Sequence, residues 1–170
     1  MKPGKNPCLI LLAAMLMLAL DRPAQASGER VFATNCAVCH QSDGHGVQGT
    51  YPSLAGTVGG YVHTQAGRTY LAQVVSFGMN GPIESDGAEY NGFMQPWPQL
   101  SDPDIAAVLN YILTSFNPKI LPADFKLYTA AEVKHLRTTH LSFEQVHAER
   151  AAVMKAANAA ASVPSAMKAH

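Results

Sequence analysis

The chain has 170 residues, of which 48% are hydrophobic and 14% are charged, and its formal net charge at pH 7 is +0. This length and composition allow a buried core and exclude a disordered or collagen-like chain. The balanced charge gives no electrostatic reason to expect nucleic-acid binding, and three cysteines are too few for a dense disulfide scaffold.

The N-terminal segment, residues 1–26, has the layout of a secretory signal peptide. Lys2 and Lys5 form a positive head, residues 8–20 are an uninterrupted apolar run, and residues 24–26 read Ala-Gln-Ala, a small-residue cleavage motif. The apolar run is shorter than the roughly 20 residues that a membrane-spanning helix needs. We therefore predict cleavage after Ala26, a periplasmic location in an oxidising compartment, and no stable membrane anchor in the mature protein.

After cleavage, Cys36 and Cys39 are the only thiols, and they stand in the sequence Cys-Ala-Val-Cys-His that ends at His40. A C-x-x-C pair is typical of a redox dithiol, half a zinc site, a local disulfide or a covalent haem. A zinc site lacks its second cysteine pair, a thioredoxin-like site lacks a preceding strand, and a bare disulfide leaves the histidine unexplained. The C-x-x-C-H spacing favours one covalent haem c, with His40 on the iron.

The segments around this haem box have clear local patterns. A helix is predicted ahead of it, with Ser27 as the N-cap and residues 29–35 in the body. Residues 44–60 are rich in glycine and proline and are expected to wrap the haem edge irregularly. Apolar side chains that recur every three or four residues predict a second helix over residues 64–77, ended by Gly78.

A second axial ligand is needed if the haem transfers electrons, and a methionine thioether is the common partner of histidine. Met94 lies among a glycine and two prolines, which predicts a stiff, irregular loop able to hold a weak iron–sulfur bond. Met79, in a second loop just after the helix, remains the alternative. His45 follows the haem box too closely to reach the opposite haem face easily, and His63 is more typical of a surface loop.

The C-terminal half contains three predicted helices. Ser101 is expected to cap the first, whose apolar face carries Ile105, Val108, Leu109 and Ile112. Capping boxes at Thr129 and Ser142 predict the other two, which end near Arg137 and Ala157. The apolar face expected for the last helix comprises Phe143, Val146, Ala151 and Met154.

Charge separates the body from this C-terminal tail. Residues 27–117 contain two basic and seven acidic side chains, a balance of −5, whereas residues 118–170 contain seven basic and four acidic ones, a balance of +3. We expect the tail to fold back on the acidic body in preference to forming a docking arm, and its last dozen residues to be disordered.

Several segments resemble class I monohaem bacterial cytochromes c, over about residues 27–117. The family's haem box, proline loop, approach to the axial methionine and last helix are matched by residues 36–40, 51–56, 81–83 with 90–94, and 100–112. The family usually has proline directly after the methionine, whereas this chain has Gln95 there, so the resemblance leaves Met79 open as a ligand.

The resemblance implies an all-α fold whose helices wrap around the haem, divided here into a haem domain over 27–117 and a helical extension over 118–170. It also implies that the carbonyl of Pro52 accepts a hydrogen bond from the ring of His40 and that Trp97 packs near the haem propionates. The first and last helices of the family cross closely, and the matching contacts are Gly28 and Phe32 against Tyr111.

The residues expected to bind the cofactor are Cys36, Cys39, His40, Pro52, Met94 and Trp97. The predicted function is one-electron transfer by an exported carrier, or by a cytochrome c subunit of an oxidoreductase complex, that is not itself an enzyme. Its expected partner is a periplasmic dehydrogenase, a terminal oxidase or another small cytochrome. The alternative is a haem enzyme, or a gas- or peroxide-binding protein, whose sixth iron position is open.

Overall fold

The computed structural model describes residues 22–161. Most of the predicted signal peptide and the last nine residues of the chain, 162–170, lie outside this range. Between residues 22 and 161, no helix is both long enough and apolar enough to cross a membrane.

The described part of the chain begins with a continuous helical rod that leads into the haem box. Helix α1 spans Arg22–Val31, a π-helical turn follows over Phe32–Cys36, and helix α2 spans Ala37–His40. The expectation that Ser27 caps the first helix is therefore wrong, because the chain is already helical from Arg22. The proline that follows Arg22 lies in the first turn, where a helix does not need its missing N–H.

The second predicted helix is confirmed. After a short 3₁₀ helix over Val58–His63, helix α3 spans Gln65–Phe77, and the Thr64 side chain caps it by accepting a hydrogen bond from the backbone of Gly67 at 3.0 Å. Gly78 ends the helix with a φ of +74°, and a Cβ at this position would collide with the carbonyl oxygen of Met94. Glycine here thus permits both the turn and the close approach of the backbone around Met94.

A two-stranded antiparallel hairpin follows, so the all-α prediction is wrong for this segment and a mainly helical description is right. Strand β1 spans Met79–Ser85, strand β2 spans Ala88–Met94, and a two-residue turn with positive φ at Asp86 (51°) and Gly87 (70°) joins them. Both predicted methionine loops are therefore strands, and only residues after Met94 are irregular.

Helix α4, over Asp102–Phe116, forms the centre of the core. Ser101 caps it as predicted, and Ile105, Val108, Leu109 and Ile112 are all buried. Helix α1 crosses it at Gly28, where a Cβ would collide with the Ala107 carbonyl and lie 2.9 Å from the Cβ of Tyr111. The rings of Phe32 and Tyr111 lie 5.6 Å apart, so the close crossing expected for these helices is present.

The tail forms two helices, α5 over Ala130–Leu136 and α6 over Phe143–Ala161. Thr129 caps α5, and the backbone and side chains of Ser142 and Gln145 bond reciprocally at the start of α6, as the capping boxes predict. Helix α6 continues past the predicted end at Ala157, so residues 159–161, expected to be disordered, are helical. The rest of that expected disordered end lies outside the described residues.

The buried face of α6 differs from the predicted one. Its buried side chains are Val146, Arg150, Val153 and Ala157, a spacing of three and four residues that defines one helical stripe. The predicted Ala151 is exposed, and Phe143 and Met154 are half-buried.

The tail packs on the body, as expected, and two ion pairs hold it there. The Arg68 guanidinium bonds both oxygens of Glu132, at 3.1 and 2.9 Å, and lies 4.0 Å from the ring centre of Tyr128. The guanidinium of Arg137 lies 2.8 Å from an oxygen of Asp102. Because Tyr128, Val133, Val146 and Val153 are buried in the same core as α4, the tail contributes to the interior of the fold.

Candidate functional site

One cleft in the described part of the chain brings together most of the predicted cofactor-binding residues. It encloses about 870 Å³, counting the part open to solvent, and most of the side chains that line it are apolar. Its walls come from the haem box, the 3₁₀ helix, α3, the hairpin, α4 and α6. The residues that line it are Cys36, His40, Pro52, Ser53, Leu54, Val58, Tyr61, Tyr70, Leu71, Val74, Val75, Met79, Ile83, Ser85, Met94, Val108, Leu109, Ile112, Leu113 and Arg150.

The two cysteines lie at the end of the helical rod, both are half-buried, and no disulfide joins them. Burial, with a smaller contribution from the neighbouring Cys39, raises the pKa of the Cys36 thiol to about 11. Before a haem is attached, this sulfur is therefore protonated at neutral pH. The spacing of three residues keeps both thiols near one edge of the cleft, although only Cys36 lines its wall.

His40 is buried, and its Nδ1 donates a hydrogen bond to the carbonyl oxygen of Pro52 at 2.9 Å. This is the contact that the resemblance implied. Burial lowers the pKa of His40, while the Pro52 carbonyl partly opposes this effect. The imidazole is consequently neutral near pH 7, with its orientation fixed through Nδ1 and the lone pair of Nε2 available to a metal.

Met79 and Met94 both line the cleft because they are direct partners in the β1–β2 ladder. Side chains opposite each other in an antiparallel pair project from the same face of the sheet. The two sulfurs nevertheless differ in their surroundings, since the hydroxyl of Tyr70 donates a hydrogen bond to the Met79 sulfur at 3.1 Å.

Three other residues considered from the sequence do not line the cleft. Trp97 packs against the core, and its backbone N–H donates to the carbonyl of Val75, a residue of the cleft wall, at 3.2 Å. His45 is exposed beside Asp43, and His63 bonds the carbonyl oxygen of Ile120 at 2.9 Å. Neither histidine therefore contributes to the wall of the cleft.

Sequence reasoning missed the polar end of the cleft, which is formed by Tyr61, Tyr70 and Arg150. The rings of Tyr61 and Tyr70 stack with their centres 5.6 Å apart, and the guanidinium of Arg150 donates a hydrogen bond to the Tyr61 hydroxyl. The sequence does contain a signal for the burial of Arg150. This residue lies four positions after Val146 and three before Val153, so it falls on the same helical face as these two valines. A search for apolar periodicity passes over a charged residue in such a stripe.

These residues fit a haem. Two thiols at the cleft edge suit thioether bonds, the held imidazole and a thioether suit the two axial positions of the iron, and the apolar walls suit a porphyrin. A haem is flat and mainly apolar and carries two carboxylates, so it also matches a cleft that is apolar except at one end.

Comparison with known proteins agrees with this description. The family model described as cytochrome c matches residues 25–116. Cytochrome c-552 of Thermus thermophilus is 45% identical over 139 residues, which cover 82% of this chain and 93% of that protein. The alignment is therefore long enough to include the haem box and at least part of the tail.

More distant similarity extends to larger proteins. The cytochrome c subunit of a quinone alcohol dehydrogenase from Gluconacetobacter polyoxogenes is 34% identical over 125 residues, 25% of that subunit. The corresponding subunit from Gluconobacter oxydans is 34% identical over 116 residues, 22% of its length.

Proposed function

The chain belongs to the cytochrome c family, in its class I monohaem type, and on that premise we propose that it is an exported one-electron carrier with His40 and Met94 as iron ligands. Like other members of the family, it carries covalently bound haem c. The bound haem supplies the redox chemistry, because its iron accepts and releases one electron. The protein attaches the haem, orients its ligands and limits its contact with water.

The observation that carries the proposal is the meeting of Cys36, His40 and Met94 in one apolar cleft, although Met94 is 54 residues beyond His40 in the chain. Cys36 and Cys39 hold the haem. His40 is kept in one orientation by Pro52, so little movement is needed between the two oxidation states. Apolar walls favour the reduced iron, which carries the smaller charge.

Met94 is the better candidate than Met79 for the second ligand. A thioether that coordinates iron must aim a sulfur lone pair at it, and the hydrogen bond from Tyr70 to one of the two lone pairs of the Met79 sulfur restrains how that sulfur can turn. Met94 also begins the proline-containing stretch that limits backbone movement after β2. We therefore assign Met94 to the iron and Met79 to the cleft wall.

The optical spectrum of the ferric protein tests this assignment with a matched pair of variants. Met94→Ala should abolish the weak far-red sulfur-to-iron band, while Met79→Ala should retain it. Far-UV circular dichroism and retention of the haem after acid–acetone treatment control for folding and attachment. Loss of the band in Met79→Ala alone would identify Met79 as the ligand. Wild-type protein that lacks the band and binds cyanide at once would favour an open iron position.

We propose that the redox partner is a periplasmic dehydrogenase, a terminal oxidase or another small cytochrome. The likeness to dehydrogenase cytochrome subunits supports the first of these. The acidic balance of residues 27–117 suits a basic partner surface. Electron transfer from such a partner should slow as ionic strength rises, and a rate that is independent of salt would contradict an electrostatic contact.

The exported location rests on the predicted signal peptide, which lies mostly outside the described residues. The helix α1 seen here includes residues 22–26, which cleavage after Ala26 removes. N-terminal sequencing of the purified haem protein should therefore begin at Ser27. A protein that retains its first residues would contradict this part of the proposal.

A further inference from the structure

Arg150 is a buried cation without an acidic partner in the described structure. It is 8% exposed, and none of the ion pairs formed within residues 22–161 includes it. Its guanidinium donates to two neutral acceptors, the Tyr61 hydroxyl and the backbone carbonyl of Glu84. Burial of an uncompensated charge is costly, so a guanidinium in this position is expected to face an anion.

The position of Arg150 indicates which anion this is. Among the described residues that line the haem cleft, Arg150 carries the only permanent charge. A guanidinium has five N–H donors arranged to hold a carboxylate, and the two protein acceptors leave three of them free. The haem that fills this cleft brings two carboxylates on an otherwise apolar ring.

We propose that Arg150 binds a propionate of the haem, with the hydroxyl of Tyr61 fixing the guanidinium beside it. Helix α6 is then part of the cofactor site, and the C-terminal tail sets the electrostatic surroundings of the iron. The same side chain also bonds the backbone of β1 through Glu84, so it links the tail, the hairpin and the haem. This inference depends on the presence of haem c and is independent of which methionine ligates the iron.

The reduction potential distinguishes this role from a structural one. Ferric haem carries one more positive charge than ferrous haem, so a nearby guanidinium favours the reduced form. Arg150→Gln at pH 8 should shift the equilibrium toward the ferric form about tenfold, which for a one-electron couple is about 59 mV. Arg150→Lys keeps the charge and should stay within about threefold of the wild-type equilibrium.

Arg137→Gln is the matched control. Arg137 also joins the tail to the body, through the Leu100 carbonyl and Asp102, but it does not line the cleft. Its substitution should lower stability and leave the potential unchanged. A wild-type potential in Arg150→Gln, or an equal shift in Arg137→Gln, would overturn the proposal.

A crystal structure of the wild-type haem protein answers the same question even if Arg150→Gln does not fold. A propionate oxygen within hydrogen-bond distance of the Arg150 guanidinium supports the inference. Two propionates that both point away from α6 would refute it.

Discussion

Asn117, at the end of α4, holds the loop that carries one wall of the haem cleft. Its side chain is 1% exposed and makes three hydrogen bonds. The amide oxygen accepts from the backbone N–H of Gly59 at 3.1 Å, and the amide nitrogen donates to the carbonyls of Leu54 and Ile112, each at 3.0 Å. Since Leu54 lines the cleft, this one side chain connects the central helix to the site.

Replacement of Asn117 by alanine removes all three bonds, so the backbone N–H of Gly59 loses this acceptor and the carbonyls of Leu54 and Ile112 each lose one donor. At about 1 kcal/mol for each bond, the free energy of unfolding should fall by roughly 3 kcal/mol. This is a large part of the 5–15 kcal/mol that is typical of a domain. Asn117→Asp keeps the shape but turns an oxygen toward two carbonyls, so at pH 7 it should be destabilising by at least as much.

Guanidinium chloride denaturation of the haem protein, followed by far-UV circular dichroism, measures these differences. Asn158→Ala, at an exposed position of α6, is the control and should stay within about 0.5 kcal/mol of wild type. A loss below about 1 kcal/mol for Asn117→Ala would show that the loop does not depend on these bonds. Wild-type stability in Asn117→Asp would refute the hydrogen-bonding argument directly.

Three further outcomes are expected from denaturation experiments. Gly28→Ala should destabilise the protein by about 1–3 kcal/mol because the added methyl collides with α4, whereas Gly60→Ala, where a Cβ meets open space, should be within about 0.5 kcal/mol of wild type. Arg68→Met should cost about 2 kcal/mol through loss of the two-bond pair with Glu132, and an unchanged urea midpoint would contradict this. Burial raises the pKa of Tyr128, so the unfolded chain loses its proton first and stability should fall as pH rises above about 10. Tyr128→Phe should make that fall shallower, and an identical slope in the variant would exclude this tyrosine as a cause.

Helices α3 and α4 of the body were predictable because each shows two independent signals. Helix α3 has an apolar stripe together with a stop at Gly78, and α4 has the same kind of stripe behind the cap at Ser101. The haem box was predictable because its chemistry is local to five residues. Where several local signals favour the same structure, contacts with the rest of the chain rarely override it.

The hairpin was not predictable from the same signals. In β1, half-buried and exposed residues alternate, but Gly81 and Pro82 occupy two of its positions and are typical of a loop. Proline is tolerated because this two-stranded sheet leaves each strand with a free edge. The pairing that brings Met79 opposite Met94 is a tertiary property, so the sequence left both methionines as candidates.

Arg150 illustrates a different limit. Hydrophobic periodicity treats a charged residue as solvent-facing, and this arginine is buried only because its surroundings include polar partners supplied by distant segments. Neither Tyr61 nor Glu84 lies near it in the chain.

The division into a haem domain and an extension remains a prediction from the sequence. In the structure, side chains from both segments are buried in one hydrophobic core.

The tight turn at Asp86 and Gly87 has a consequence for how this hairpin can vary among related chains. A two-residue turn of this kind permits one alignment of its strands, and a shift by a single residue would rotate every side chain of the shifted strand to the opposite face. An insertion or deletion at the tip would therefore move the side chain of Met79 or Met94 out of the haem cleft. Exchanges at the tip should be limited to residues that accept a positive φ, such as Asn, Asp and Gly, and changes in the length of the tip should not be tolerated.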